Sequence, residues 1–341
     1  MANLDYNKRL TNLQNRRFDP GLNESAVTKL FSAYDIPEDV KYLYESMRPI
    51  DNKYNDRTIQ AAENVRTHLE RDFNLHFARA YRTQGSVKTK TNIRVHSDFD
   101  LLTIIDRYHY PETSNGNNYT ASDPDTDIHD LRRQAIQIMR RQYDNVDDTP
   151  DKCITIENKN LKRKVDIVFA YWYNSDKYEQ TRNEFYRGVY LYNFPKKQRL
   201  QDFPFATLEN VNYKGDQTND GSRKAIRLLK NLRADSDTEL KFLKSFQLTS
   251  IVHAIDNQNL YYHTGYELSI ATAVSNEMQK LLDDPSYRMY VKSPNGTEFP
   301  LWESDTVPEI RLLKNDLDQL ITDAANDINK SHVLQRSLLA Y

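Results

Sequence analysis

The chain has 341 residues, and its 47 Lys+Arg against 49 Asp+Glu leave a formal net charge of −2. That balance lacks the basic excess of a protein that coats duplex nucleic acid, so a stable nucleic-acid partner is not expected. Cys153 is the only cysteine, which excludes an internal disulfide and a cysteine-rich zinc site. No window approaches a membrane span and the N-terminus has no apolar leader, so a soluble cytoplasmic protein is expected.

Residues 1–22 are polar, end in Asp19-Pro20-Gly21, and read as a surface extension. A short helix is expected over 24–34, stopped before Pro37, and a second over 38–47. The strongest helical pattern covers 51–73, where Ile59, Ala62, Val65, Leu69 and Phe73 recur every three or four residues as one apolar stripe. Residues 76–83 read as a short strand that delivers the chain to a Gly85-Ser86 turn. Eleven mostly polar residues follow, then Phe99 and the apolar run 101–105, with Asp98 and Asp100 at its start. Alternation along a strand points Asp98 and Asp100 to one face and Phe99 to the other. Side-by-side carboxylates repel unless a cation lies between them, which is the first sign of a metal site.

A loop of about twenty polar residues, 107–127, is expected after a strand over 98–105. Asp123, Asp125 and Asp127 resemble the start of an EF-hand loop. Ile128 stands where its turn glycine belongs, however, and Gln134 where its closing glutamate belongs. The pattern instead predicts Asp127 as the cap of a helix over 128–143, with Ile128, Leu131, Ala135, Ile138 and Gln142 along one side. A hairpin follows, with strands 153–156 and 165–170 around a turn at 157–160. Its second strand is apolar except for Asp166. That acid reads either as a salt-bridge partner of Arg163 or Lys164, or as a ligand. Residues 171–218, aromatic and punctuated by Pro195 and Pro204, read as strand and loop. Four helical patterns complete the chain, marked by Leu228 and Leu232, Leu248 and Val252, Val274 and Met278, and Leu313 and Leu317. The predicted organisation is a helical extension over 1–50, a core lobe with a long spine helix over 51–218, and a helical lobe over 219–341.

If the two acid-bearing strands are neighbours, Asp98, Asp100 and Asp166 converge. Hard oxygen ligands favour Mg2+ or Mn2+ over zinc. Two such ions, about 3.5–4 Å apart, stabilise the attacking and leaving oxygens of an in-line phosphoryl displacement. The Gly85-Ser86 turn offers backbone N–H groups and a hydroxyl to a phosphate. A second Gly-Ser pair, Gly221-Ser222, reads only as a turn and helix N-cap.

Together, Gly85-Ser86, Asp98-Phe99-Asp100 and the Asp166 of Lys164-Val165-Asp166-Ile167-Val168 resemble the signature of the polymerase-β-like nucleotidyltransferase superfamily. The segment 224–233, KAIRLLKNLR, and Lys244-Ser245-Phe246 are similar to the helical half of the bacterial cGAS/DncV-like nucleotidyltransferases (CD-NTases). The resemblance spans roughly residues 50–290. It implies an α+β, bilobal fold with a small mixed sheet, flanking helices and a C-terminal helical bundle. It also implies an enzyme that condenses nucleoside triphosphates into a cyclic di- or trinucleotide with release of pyrophosphate. The setting it implies is bacterial anti-phage signalling (CBASS), with a separate effector answering the product.

By the same resemblance, Asp98, Asp100 and Asp166 would hold two Mg2+ ions, with Mn2+ as a substitute, and Asp166 would help activate the attacking ribose hydroxyl. Gly85 and Ser86 would hold the terminal phosphates, with Gln84 and Thr91 flanking them. Lys230 would meet the triphosphate, Ser245 would touch phosphate, and Phe246, where the family often has tyrosine, would stack on a nucleobase. Plain alternatives stand beside two of these roles: an exposed helix lysine for Lys230 and core packing for Phe246. At the level of function, a template-independent transferase acting on RNA, protein or a small molecule shares the acids and is the alternative. A silent nucleotide-binding scaffold is disfavoured because all three acids are present.

Overall fold

Two groups of elements make up the computed structural model, which describes residues 4–18, 36–97, 99–113, 122–158 and 163–330. Asp98 and the helix expected over 24–34 lie outside the described residues. The chain divides into one unit of residues 51–89 and 96–209 and another of residues 1–50, 90–95 and 210–341.

The N-terminal segment is no surface extension. Helix α1 (Tyr6–Arg17) buries Leu10 and Leu13, and helix α2 (Glu38–Met47) buries Val40, Tyr42, Leu43 and Met47. All six join the apolar cluster of the C-terminal helices. The polar composition hid α1 because its buried arginines are paired, Arg9 with Asp316 at 2.5 Å and Arg17 with Glu45 at 2.7 Å. Paired in this way, a long basic side chain can line a core.

In the sheet unit, α3 (Asn52–Asp72) leads to β1 (Arg79–Gln84) and β2 (Asp100–Pro111). Strand β2 runs past the expected end at 105 into the stretch read as loop, because His109, Tyr110 and Pro111 pair with 172–174 after a register shift. The buried line of α3 is Tyr54, Thr58, Ala61, Ala62, Val65 and Leu69, and Ile59 is turned outward at 40% exposure. Helix α4 (Pro124–Gln142) starts earlier than the sequence pattern predicts, because Asp123, not Asp127, caps it by accepting from the Thr126 N–H at 3.0 Å. Pro124 takes the first helical position, where no N–H is needed. Asp127 is buried in the first turn and accepts the Tyr108 hydroxyl at 2.6 Å. Met139 joins the buried side, and Gln142 is exposed.

Strands β3 (Asn145–Asp147), β4 (Cys153–Asn158) and β5 (Arg163–Asn174) follow, then α5 (Asp176–Thr181), β6 (Arg187–Asn193) and β7 (Gln198–Asp202). The sheet runs β1-β2-β5-β4-β3, with β6 and β7 branching from β5. The long strand β5 pairs in parallel with β2 along one edge. Its other edge is shared, β4 taking the first half and β6 the second. Residues 171–218 are therefore not strand and loop: they complete β5, add the β6–β7 hairpin and form helix α6 (Pro204–Gln217), within which the two units divide. Pro204 opens that helix instead of breaking one.

The helical unit adds α7 (Gly221–Ala234), α8 (Ser245–Ala254), α9 (Asn257–Leu260), α10 (Leu268–Asp283), α11 (Pro285–Met289) and α12 (Thr306–Lys330). Ser222 is not the cap of α7. It lies buried inside the helix, and its N–H donates to Thr218 Oγ1 at 3.0 Å. Gly221 is there for space, since a Cβ would lie 1.9 Å from the Leu260 carbonyl oxygen. Backbone cannot swing aside as a side chain can, so Gly221→Ala is expected to destabilise the protein by about 2–3 kcal/mol. A lowered urea midpoint with unchanged slope would show it. A wild-type midpoint would mean that the contact relaxes at no cost.

Candidate active site

Strand register builds the centre of the site. Asp100 stands opposite Asp166 in the parallel β2–β5 pair. On the outer sides, β1 sets Gln84 opposite Asp100 and β4 sets Thr155 opposite Asp166. Gln84, Asp100, Asp166 and Thr155 thus form one row across four adjacent strands. Both acids are half-buried. Leu102, Ile104, Val168 and Ala170, two and four residues further along, form an apolar cluster on the acid-bearing face. Phe99, Leu101, Ile167 and Phe169 go to the opposite core.

Each acid takes a bond from the outer neighbour in its row. Gln84 Nε2 donates to Asp100 Oδ2 at 3.0 Å, and Thr155 Oγ1 donates to Asp166 Oδ1 at 2.6 Å. The Gln84 amide, expected beside a phosphate, donates one N–H to an acid here. Arg163, one of the two salt-bridge partners considered for Asp166, lies on the other side of β5 and donates to Thr58 Oγ1 of α3 at 3.0 Å. The local potential is negative: the Cys153 thiol is pushed up to about 12, first by burial and then by the Asp166 and Asp100 charges.

Directly after Gln84 the chain turns at Gly85, whose φ of 112° a side chain would disfavour. The turn is closed by the Lys88 N–H on the Gly85 carbonyl at 3.1 Å, and Thr89 Oγ1 donates to the Ser86 carbonyl at 3.2 Å. Ser86 is half-buried. Among the described residues no group of three or more His, Cys, Asp or Glu is arranged to hold a metal. Asp100 and Asp166 come together, and Asp98 lies outside the described residues.

The helical unit holds the other expected residues. Lys230 is buried, not an exposed helix lysine, and its Nζ donates to the Thr91 carbonyl at 3.1 Å. Burial, and then the Arg227 charge, pull its pKa from 10.5 down to about 8. Thr91 is itself buried and meets Lys230 through its backbone. Arg227 braces the same segment by donating to the Lys90 carbonyl at 2.6 Å. Ser245 is exposed at the first turn of α8, whose N-cap residue Lys244 makes no side-chain cap hydrogen bond. Phe246 is half-buried and is not among the residues of the apolar cluster that takes Leu248, Ile251 and Val252. That placement goes against simple core packing. Just upstream, the Glu309 carboxylate accepts the N–H groups of Lys241, Phe242 and Leu243 at 2.7–2.9 Å, fixing the approach to α8. Neither Glu309 nor Thr155 carries a signal in spacing or motif.

A mixed sheet with two acids in register on parallel neighbours, beside a glycine-serine turn and joined to a helical unit, is the layout of a polymerase-β-like nucleotidyltransferase. No protein-family model matches the chain. It is 31% identical over 288 residues to a c-di-GMP synthase of Lachnospiraceae bacterium (strain RUG226), covering 75% of this chain and 80% of that one. It is 29% identical over 297 residues to the cyclic dinucleotide synthase CdnE of Yersinia aleksiciae, covering 85% and 77%. The solved structure of a STING-associated CdnE c-di-GMP synthase from Capnocytophaga granulosa matches with a TM-score of 0.81 at 27% identity, covering 95% of this chain and 99% of that one. The chain belongs to the bacterial cGAS/DncV-like nucleotidyltransferases, on the side of the CdnE cyclic dinucleotide synthases. Among the described residues no helix is long and apolar enough to cross a membrane.

Proposed function

We propose that this enzyme joins two nucleoside triphosphates into a cyclic dinucleotide by a Mg2+-dependent reaction that releases pyrophosphate. The observation that supports this most is the Asp100–Asp166 pair, in register on adjacent parallel strands and bonded to a neutral amide and a neutral hydroxyl. These two donors bring no charge of their own to the carboxylates, and a set of hard oxygens suits Mg2+ or Mn2+. Asp98, Asp100 and Asp166 would hold the ions. When bound, they would lower the pKa of the attacking hydroxyl and offset charge on the leaving pyrophosphate. Asp166 accepts the ribose hydroxyl proton, the Gly85 amide and Ser86 hydroxyl hold terminal phosphates, Lys230 and Ser245 bind phosphate, and Phe246 offers its ring to a base.

Two of the relatives named above are c-di-GMP synthases, so the reading extends to GTP as substrate. The Capnocytophaga protein is STING-associated, so it extends also to a separate receptor of that kind as effector, in anti-phage signalling. The test incubates the chain with the four ribonucleotides, singly and together, with Mg2+ and then phosphatase. A phosphatase-resistant product containing only nucleotide, formed from GTP alone and lost with EDTA, is expected. Transfer to an added RNA, protein or small-molecule acceptor without such a product would overturn the reading in favour of a template-independent transferase.

A further inference from the structure

We infer that Thr155 is a positioning residue: its hydroxyl sets the orientation of the Asp166 carboxylate for divalent-cation binding. The inference rests on the reading of Asp100 and Asp166 as metal ligands. Thr155 is the register partner of Asp166 in the antiparallel β4–β5 pair, and its Oγ1–H donates to Asp166 Oδ1 at 2.6 Å. Directly opposed side chains on one face of an antiparallel pair lie close enough for such a bond without bending either strand. Threonine is branched at Cβ and stiff at χ1, so the hydroxyl is held where the strand places it.

The donor's charge is what makes the contact functional. A lysine or arginine opposite Asp166 would also fix the carboxylate, but it would cancel its charge and compete with a cation. A hydroxyl turns the carboxylate and adds no positive charge of its own. The same logic recurs on the other side of the row, where the uncharged Gln84 amide holds Asp100. The fold itself does not call for a hydroxyl at this position. Strand β4 alternates buried and half-buried, with Ile154 and Ile156 supplying its core side and Thr155 facing the acids. Valine has nearly the same shape and a comparable strand preference. Partners that orient a metal ligand typically change metal affinity or activity by about 10–100-fold when lost.

The experiment titrates the nucleotide-free full chain with Mn2+, following free Mn2+ by electron paramagnetic resonance. It also measures the Mg2+ concentration for half-maximal pyrophosphate release. Thr155→Val is expected to weaken Mn2+ binding and raise the half-saturating Mg2+ about 10–100-fold, with the KM for nucleotide at saturating metal nearly unchanged. Thr155→Ser should restore both to within about threefold, because it returns the hydroxyl. Thr155→Ala repeats the loss without the branched side chain and carries the test if the valine variant does not fold. Wild-type metal dependence in the valine or alanine variant, with Asp166→Asn failing to bind Mn2+, would overturn the role of Thr155 and leave the metal ligands standing. Wild-type Mn2+ binding in both Asp100→Asn and Asp166→Asn would overturn the metal reading and the positioning role with it.

Discussion

Asp100→Asn is expected to lower cyclic dinucleotide formation by roughly 10³-fold or more while leaving the protein slightly more stable in the absence of divalent cations. The two effects have one cause. Asparagine keeps the shape and an oxygen that can accept from Gln84, so the row across β1, β2, β5 and β4 persists. Only the charge is lost. For the reaction this removes an anionic ligand from ions worth several kcal/mol to a phosphoryl transition state, and each 1.4 kcal/mol is a factor of ten. For the fold it removes repulsion between carboxylates on strands about 5 Å apart, roughly 1–3 kcal/mol before solvent screening and near the lower figure for half-exposed groups. With EDTA present, the variant should melt about 1–2 °C higher than wild type. Added Mg2+ should close or reverse that gap, because it stabilises the form that binds it. Pyrophosphate release and calorimetric melting read the two halves. Wild-type turnover, or a lower melting temperature in EDTA, would contradict the assignment.

How much of this was legible in the sequence depends on which physical signal carried it. Asp100 and Asp166 were legible because each interrupts an apolar strand, and a charge in such a strand demands a reason. Gly85 was legible because a turn before a strand favours glycine. Thr155 was not, because cross-strand register depends on where a turn closes. A turn at 157–160 would pair Asp166 with Asp151, whereas the strand ends, Asn158 and Arg163, make Thr155 the partner. The burial of Lys230 was hidden for a different reason. An amphipathic template assigns lysine to the solvent face, but α7 is buried from Gly221 to Leu232 at every residue except Lys224. Helix α1 escaped because paired arginines read as surface polarity. Local periodicity was readable, and what depended on distant pairing was not.

Lys230→Met separates a cation kept for a ligand from one that merely braces the fold. Among the described residues the Lys230 ammonium meets the Thr91 carbonyl and no carboxylate, and its pKa is drawn from 10.5 to about 8 by burial and then by Arg227. The folded state therefore holds this proton less tightly than the unfolded chain does. Below pH 8 both states are protonated and the folded one bears the full cost of a buried charge. Between pH 8 and 10.5 the folded protein sheds the proton and the cost fades, and above about 10.5 none remains. Lys230→Met should thus melt higher than wild type at pH 7, and the two should converge towards pH 10.5. Nucleotide binding should move the other way. A triphosphate favours the ammonium, and truncating one partner of a buried charge pair costs about 2–5 kcal/mol, so kcat/KM should fall by roughly 10²–10³-fold. Wild-type affinity for the triphosphate should weaken by up to about tenfold per pH unit above pH 8 as the proton is lost, with a flat profile for the variant over the same window. A KM series for GTP from pH 7 to about 9.5, alongside melting curves at the same pH values, tests both signs. A variant with the wild-type KM and pH profile would leave Lys230 only as the brace that holds Thr91.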